Sequence, residues 1–385
     1  MRKHSWLYWT LVVLASSGPF RLWAWTPVIE PYEQIFPALE LATANLPRER
    51  TDNPFLLGDP NGLIGIRIDA QKNQQRVRVE ISAPPLITRA VFEGTLKQAG
   101  KSYAIYPSIV WDYQALARVR QSRPAQVTMQ VTLDGGKPES KALTARVRSI
   151  NEALYWVADP NGGPALDFNW MFAAYVNEEH PLVDQLLTEA LDLGIVDRFD
   201  GYQSGDETQV YLQAFALWQA LQQRGLRYSS IVQGSSMRAG VLSQYVRFLD
   251  QSIRARQANC VDGTVLLASL LRRVGIEPSI VLLPGHAVLG FALDESGSAM
   301  AFLETTLLGD DQHSGTGSLA VVAASIPDLP DIMVAFSVFE AAAESAQNLV
   351  DLAGNAFQDT SQSEYRIIDV RAARQAGIMP IAPVR

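Results

Sequence analysis

A thiol becomes a useful nucleophile when a neighbouring base takes its proton, and an imidazole is a competent base when a third group fixes its tautomer. The chain contains one cysteine in 385 residues, Cys260, and His286 and Glu304 follow it. Those three residue types together are the equipment for acyl transfer through a thioester. Cys260 is the candidate nucleophile, His286 the candidate base and Glu304 the acid that would orient it. The competing reading of a lone thiol is a small, buried, inert hydrophobe.

The elements around these residues decide between the two. The run Asn259-Cys260-Val261-Asp262-Gly263 leads into an apolar helix through Val265, Leu266, Leu267, Leu270 and Leu271. Arg272 and Arg273 fall in its last turn and Gly275 just beyond, as the helix dipole and the C-cap favour. Cys260 therefore sits at or beside a helix N-terminus, where unpaired N–H groups and the positive dipole end favour a thiolate. Ser279 to Leu283 reads as a strand, and Pro284-Gly285-His286 opens another that runs to Leu293. Asp294 to Ser298 is rich in turn formers, and Met300 to Thr305 returns from it. A hairpin turning about Glu295 sets His286 directly opposite Glu304, with Cβ atoms about 5 Å apart. The carboxylate then holds one ring nitrogen and leaves the other for the thiol. Alternation along the hairpin predicts a buried outer face and a functional inner one, and a one-residue slip would separate the pair.

These residues carry a resemblance. A helix-borne cysteine in an Asn-Cys-x-Asp-Gly setting, an arginine and a glycine closing that helix, His-Ala after Pro-Gly, and an acid followed by Thr resemble the transglutaminase-like superfamily over roughly residues 205 to 309. The resemblance implies a papain-type α+β domain, a helix-borne cysteine packed on an antiparallel sheet that carries histidine and acid. Transglutaminases, amidases acting on glycoproteins and bacterial thiol proteases belong to that superfamily. Glu304-Thr305-Thr306 stands where Asp-x-Thr is usual; glutamate is a methylene longer and keeps the charge. The resemblance also implies an upstream side chain that shares the oxyanion with the cysteine N–H. Gln203, Tyr228 and Gln257 are the residues considered, and Gln203 and Tyr228 are preferred. The stretches Tyr175-Val176-Asn177-Glu178, Gly201-Tyr202-Gln203 and Gln257-Ala258-Asn259-Cys260 are similar to a group of exported bacterial proteins of unassigned function.

The rest of the chain supplies the setting. Arg2, Lys3 and His4 precede an apolar run from Trp6 to Ala15 that ends at Ser16-Ser17-Gly18-Pro19, the layout of a secretory signal, with cleavage after Ala24 expected. An uncleaved anchor is the alternative, and no later segment reads as a membrane span. Residues 1–24 hold three basic and no acidic residues, so their removal takes the net charge from −8 to −11. That acidity argues against nucleic acid as a partner. Residues 25–47 read as a proline-punctuated lead. Residues 48–155 read as an antiparallel β-sandwich domain: Val77, Val79 and Ile81 alternate, Val127, Met129, Val131 and Leu133 repeat the pattern, and Asp134-Gly135-Gly136 turns the chain. Its expected role is packing or partner binding.

Residues 156–385 read as the transglutaminase-like domain. Helices are expected around Trp170 to Val176, Leu182 to Leu191, Val210 to Arg224 and Val338 to Leu352, with a polar loop from Ser229 to Ala239. His180 beside Pro181 reads as a surface or capping residue and His313 as part of a solvated loop from Gly309 to Ser318. No zinc spacing, calcium loop, phosphate-binding glycine loop or nucleophile elbow occurs, so neither metal nor cofactor is expected. The function expected is a periplasmic or otherwise exported thiol enzyme acting on a protein or peptide amide. The alternative is a non-catalytic binding or assembly protein that uses the same fold.

Overall fold

A computed structural model describes residues 25–47, 51–160, 162–230, 236–238, 240–310, 330–359 and 361–382, in a mixed α+β arrangement with several sheets. The signal-like stretch and His313 lie outside the described residues. Strands β1 (Trp25–Ile29), β2 (Gln34–Ile35), β3 (Leu56–Gly58), β4 (Ile64–Asp69), β5 (Gln75–Ala83), β6 (Ile87–Leu96), β7 (Ser102–Tyr106), β8 (Arg123–Leu133) and β9 (Glu139–Val147) form the N-terminal half. They make two sheets, β1-β4-β7-β3 and β2-β9-β8-β5-β6. Period-two alternation sends Ile64, Ile66 and Ile68 of β4 and Val77, Val79 and Ile81 of β5 into one shared apolar core, with Val127, Met129 and Val131 of β8. Asp134 and Gly135 both take positive φ in the tight turn between β8 and β9, which is why an acid and a glycine stand there. Pairing is antiparallel except where β2 meets β9 and β3 meets β7.

Residues 25–47 are part of these layers. Strand β1 pairs with β4, burying Trp25 and Ile29, and the short helix α1 (Pro37–Ala42) puts Ala38, Leu39 and Ala42 into the core of the C-terminal half. Frequent proline hid both elements from a pattern reading. Helix α2 (Tyr113–Ala117) follows β7.

The second core begins before residue 156. Strand β10 (Glu152–Val157) buries Ala153, Leu154 and Val157 there, in a sheet ordered β11-β10-β14-β13 with β11 (Leu166–Asp167), β13 (Ser236–Arg238) and β14 (Val241–Tyr245). Strand β13 thus occupies part of the interval read as a loop. Asn169–Tyr175 is a 3-10 stretch rather than an α-helix. Helices α3 (Pro181–Asp192) and α4 (Glu207–Gln223) end before Gly194 and Gly225, both at positive φ.

The remaining elements hold the site. Strand β12 (Arg227–Tyr228) pairs in parallel with β15 (Gln257–Ala258), helix α5 (Leu249–Ala255) precedes it, and helix α6 (Cys260–Arg273) follows it directly. Helix α6 packs against β16 (Pro278–Leu283) and β17 (His286–Ala292), in a sheet ordered β18-β17-β16-β19 with β18 (Met300–Leu303) and β19 (Arg366–Asp369). Ile280, Leu282, Ala287, Leu289 and Phe291 face the core with α6, while Val281, Leu283 and Val288 are covered by Ala346 of helix α7 (Pro330–Ala353). Both faces are buried, contrary to the expected division into an apolar face and a functional one. His286 is the only partly exposed residue of β17, and it stands at the strand's first position. The tail contributes structure too: β19 extends the sheet and helix α8 (Val370–Gln375) closes it. No helix among the described residues is long and apolar enough to cross a membrane.

Candidate functional site

Each residue of the Asn-Cys-x-Asp-Gly run has a physical task at the start of α6. Asn259 is the N-cap: its Oδ1 accepts from the Asp262 N–H at 2.8 Å, and Asp262 Oδ2 accepts from the Asn259 N–H at 3.2 Å. This reciprocal capping box satisfies two donors that a helix start leaves over. Asp262 is 0% exposed, and it also accepts from the Arg247 N–H at 2.7 Å and from Arg247 Nη1 at 2.8 Å. Burial pushes the Asp262 carboxyl above the usual carboxylate range, against the pull of these N–H groups and the guanidinium. The first turn of α6, and with it Cys260, is held from below by a buried ion pair.

A second set of contacts fixes the same turn to the 3-10 turn that Glu304 caps. The Thr305 hydroxyl donates to the Cys260 carbonyl at 3.1 Å, and Thr264 donates to the same oxygen at 2.7 Å. Thr305 lies so close that a Cβ at position 263 would sit 2.7 Å from its Oγ1 and 2.8 Å from its Cβ, so glycine is required by proximity. Gly263→Ala is expected to force Thr305 away and to cost about 1–3 kcal/mol in urea unfolding, the usual range for overpacking. A change below about 0.5 kcal/mol would show that the contact relaxes freely.

His286 and Glu304 meet, by a register that differs from the expected one. Strand β17 pairs with β18 as Leu289↔Leu303 and Ala292↔Met300, which brings Val288 rather than His286 level with Glu304. The cause is the hairpin loop. Asp294 accepts from the Ser298 hydroxyl at 2.7 Å and the Ala299 N–H at 2.8 Å, and the Leu293 N–H donates to the Ala299 carbonyl at 2.8 Å, which centres the turn on Ser296 instead of Glu295. The displacement is two residues, and an even displacement keeps both side chains on one face. Glu304 reaches diagonally: its Oε2 lies 2.6 Å from His286 Nε2. Its other oxygen, Oε1, accepts from the Thr306 N–H at 3.0 Å and the Thr306 hydroxyl at 2.7 Å. The Glu304 N–H donates to the Ala342 carbonyl of α7 at 3.0 Å. The acid is therefore held on both carboxylate oxygens and at its backbone.

The electrostatics follow from that geometry. Hydrogen bonding with the Cys260 sulfur, and next with Glu304, pushes the His286 ring up to about 10. Burial opposes ionisation of Glu304, but the bond and charge of His286, together with Thr306, hold its carboxyl below the usual range. The Glu304 side chain is 5% exposed and that of His286 is 27% exposed, so the acid is enclosed while the ring opens to solvent. With Nε2 taken by Glu304, Nδ1 is the ring nitrogen left for the half-buried thiol. At neutral pH the ring is an imidazolium between a sulfur and a carboxylate, the arrangement that generates a thiolate and later returns a proton.

The residues considered for the oxyanion divide. Pairing of β12 with β15 sets Tyr228 beside Ala258, two positions ahead of Cys260. Tyr228 is 43% exposed, and its phenol is raised above the ordinary tyrosine range by burial, then by the nearby charges of Cys260 and Glu304. Gln257 is exposed three positions ahead of the thiol. Gln203 lies at the other end of α6. Gly201 approaches the Val274 carbonyl so closely that a Cβ would be 2.8 Å away, and Gln203 lines a hollow with Arg273, Gly275 and Glu295. A helix of 14 residues spans about 20 Å, so Gln203 is no donor to an oxyanion formed at Cys260. Its glycine and tyrosine neighbours serve packing: Tyr202 Oη accepts from the Glu277 N–H at 2.8 Å and donates to the Ala292 carbonyl at 3.3 Å.

Arg247 carries the site without having stood out in the sequence, and Thr305 and Thr306, quoted there only as the setting of the acid, hold the turn and the carboxylate. Asn259 and Asp262 bore a legible signal, an N-cap residue followed three positions later by an acid. Arg247 bore none, because only the fold brings it under α6. His180 caps α3 as expected, its Nδ1 accepting from the Leu182 N–H at 3.2 Å. Among the described residues, no group of three or more His, Cys, Asp or Glu is arranged to hold a metal ion. Compared with protein-family models and with curated proteins, the chain matches none of them.

Proposed function

We propose that this chain is an exported thiol acyl-transfer enzyme, a papain-type, transglutaminase-like domain behind a β-sandwich that offers a partner surface. The observation that carries this reading is the His286 ring, whose Nε2 lies 2.6 Å from the enclosed Glu304 carboxylate and whose hold on its proton is strengthened first by the Cys260 thiol and then by that carboxylate. Two sheets sharing one apolar core support the sandwich, and a helix-borne thiol packed on a sheet that carries imidazole and acid supports the papain-type domain. In the reaction, the Cys260 sulfur adds to an amide carbonyl of a protein or peptide, and the C–N bond breaks as His286 gives its proton to the leaving amine. The thioester then passes its acyl group to water, making an amidase or protease, or to an amine, making a transglutaminase; His286 takes the proton of that acceptor. The chemistry calls for no cofactor. The apolar run ahead of Trp25 supports export, and the acidic chain makes nucleic acid a poor partner.

Alkylation of the sole thiol tests the reading. The ring keeps its proton up to about pH 10, and a positive charge beside sulfur favours the thiolate, so iodoacetamide is expected to label native Cys260 already at neutral pH. Above about pH 10 the ring loses its charge and that assistance disappears. In His286→Ala labelling at neutral pH should be slower than in the wild type, because the charge beside the sulfur is gone. Native Cys260 that reacts only after unfolding would overturn the proposal in favour of an inert thiol in a binding protein.

A further inference from the structure

Outside the thiol site, three arginines gather at one hollow on a chain whose net charge is −8. A shallow, open hollow of about 550 Å³ lies where α2, the connection into β8 and the turn between β5 and β6 meet, and Arg118, Arg120 and Arg123 line it over a floor that includes Ala115 and Val119. The one carboxylate in the lining, Asp112, is occupied as the N-cap of α2, where it accepts from the Ala115 N–H at 2.8 Å. Among the described residues, neither Arg118 nor Arg123 forms an ion pair, and both are exposed. Guanidinium forks without carboxylates are suited to bidentate capture of carboxylates from another molecule.

We propose that this hollow binds an acidic, extended peptide segment of a protein partner. The open shape suits a chain lying across it better than a small molecule, which needs enclosure for its affinity. The two guanidinium groups of Arg118 and Arg123 against one carboxylate that caps α2 set the sign of the ligand. The net charge of −8 repels long polyanions, so a short run of Asp or Glu fits where a nucleic acid does not. Contacts also run from the hollow to the thiol-bearing helix. Ser122, inside the lining segment, donates to Glu152 of β10 at 2.8 Å; Glu152 pairs with Tyr245 of β14; and Arg247, two residues on, grips Asp262 beneath Cys260. A partner held at the hollow is thereby held on the body that carries the thiol. The binding itself does not depend on the thiol chemistry.

The test is fluorescence anisotropy of a fluorescein-labelled peptide of alternating Glu and Ser, titrated with the full chain and with its Cys260→Ala variant. Both are expected to bind saturably and equally, with affinity falling steeply as salt is added. The double variant Arg118→Glu, Arg123→Glu should weaken binding about tenfold or more, and Arg118→Lys with Arg123→Lys, which keeps the charge and loses the forks, should weaken it several-fold. Unchanged melting of each variant would establish that these exposed changes leave the fold intact. The proposal is overturned if the wild type shows no saturable binding, if the double glutamate variant binds within about twofold of it, or if the matching Lys and Ser peptide or an oligothymidylate of equal length binds as tightly.

Discussion

Cys260→Ala is expected to abolish turnover of an amide substrate found by trapping adducts on Cys260 in native extracts, while unfolding stability changes by no more than about 1–2 kcal/mol. The asymmetry has a structural cause. The sulfur is half-buried at the first residue of α6, whereas the bonds that hold this turn use the Cys260 carbonyl, the Asn259 side chain and Asp262. Removing one atom of sulfur leaves them all in place. His286→Ala should be nearly as severe, with a loss in kcat of about 10⁴-fold or more, since thiol and base act as a unit. Glu304→Gln should be milder and retain residual activity: with its oxygen held by Thr306, the amide turns its N–H₂ to the ring, which keeps the ring in place but imposes the other tautomer and cannot stabilise an imidazolium. The check is initial rates across the three variants, with folding followed by circular dichroism. Wild-type rates in Cys260→Ala would assign the chemistry elsewhere, and a Glu304→Gln variant as inactive as Cys260→Ala would make the carboxylate's charge indispensable.

The largest expected effect on stability belongs to a residue outside the candidate triad. Asp262→Ala should destabilise the chain by about 3–5 kcal/mol, because it strips the partner from a guanidinium that is itself nearly buried. It also leaves the Arg247 and Asn259 N–H groups without acceptors. A loss of that size is a large part of a typical domain's margin of about 5–15 kcal/mol. Asp262→Asn, which keeps an acceptor and loses the charge, should cost less. Urea midpoints at constant slope measure both. A shift under about 1 kcal/mol for Asp262→Ala would mean that water replaces the carboxylate and that the first turn of α6 is held chiefly by Asn259 and Thr305.

A structural reading of this site from sequence goes far because its elements are local. The cap, the apolar run, the basic last turn and the closing glycine of α6 lie within seventeen consecutive residues, so each signal points at the same helix. The strands flanking His286 are equally legible, through their β-branched and aliphatic runs. The hairpin register is less so, because it depends on how Asp294 satisfies the loop's N–H and hydroxyl groups, and a centre at Ser296 competes with one at Glu295 on nearly equal sequence evidence. The acid stayed with the histidine because the difference was even. Short or proline-marked elements were hidden for a different reason. Strand β1, helix α1 and strand β13 carry too few residues for a period to show; β1 and α1 are stabilised by pairing or burial against distant chain, and β13 by pairing with its neighbour β14.

By itself, the sequence determined the residue types of a thiol chemistry, the helix that begins at Cys260, the strand that begins at His286, and the layered β character of the first half. These rest on capping, periodicity and turn preference, which act over a few residues. Only the tertiary structure decided that Arg247 lies under Asp262, that Thr305 ties α6 to the acid's turn, that Tyr228 stands beside the thiol while Gln203 stands a helix length away, and that three arginines line one hollow. The pairings at the thiol site join separate elements of the chain, and the hollow needs Pro85 of another turn beside the arginines. They are selected by burial and by the need to satisfy buried polar groups, which no local window of sequence contains.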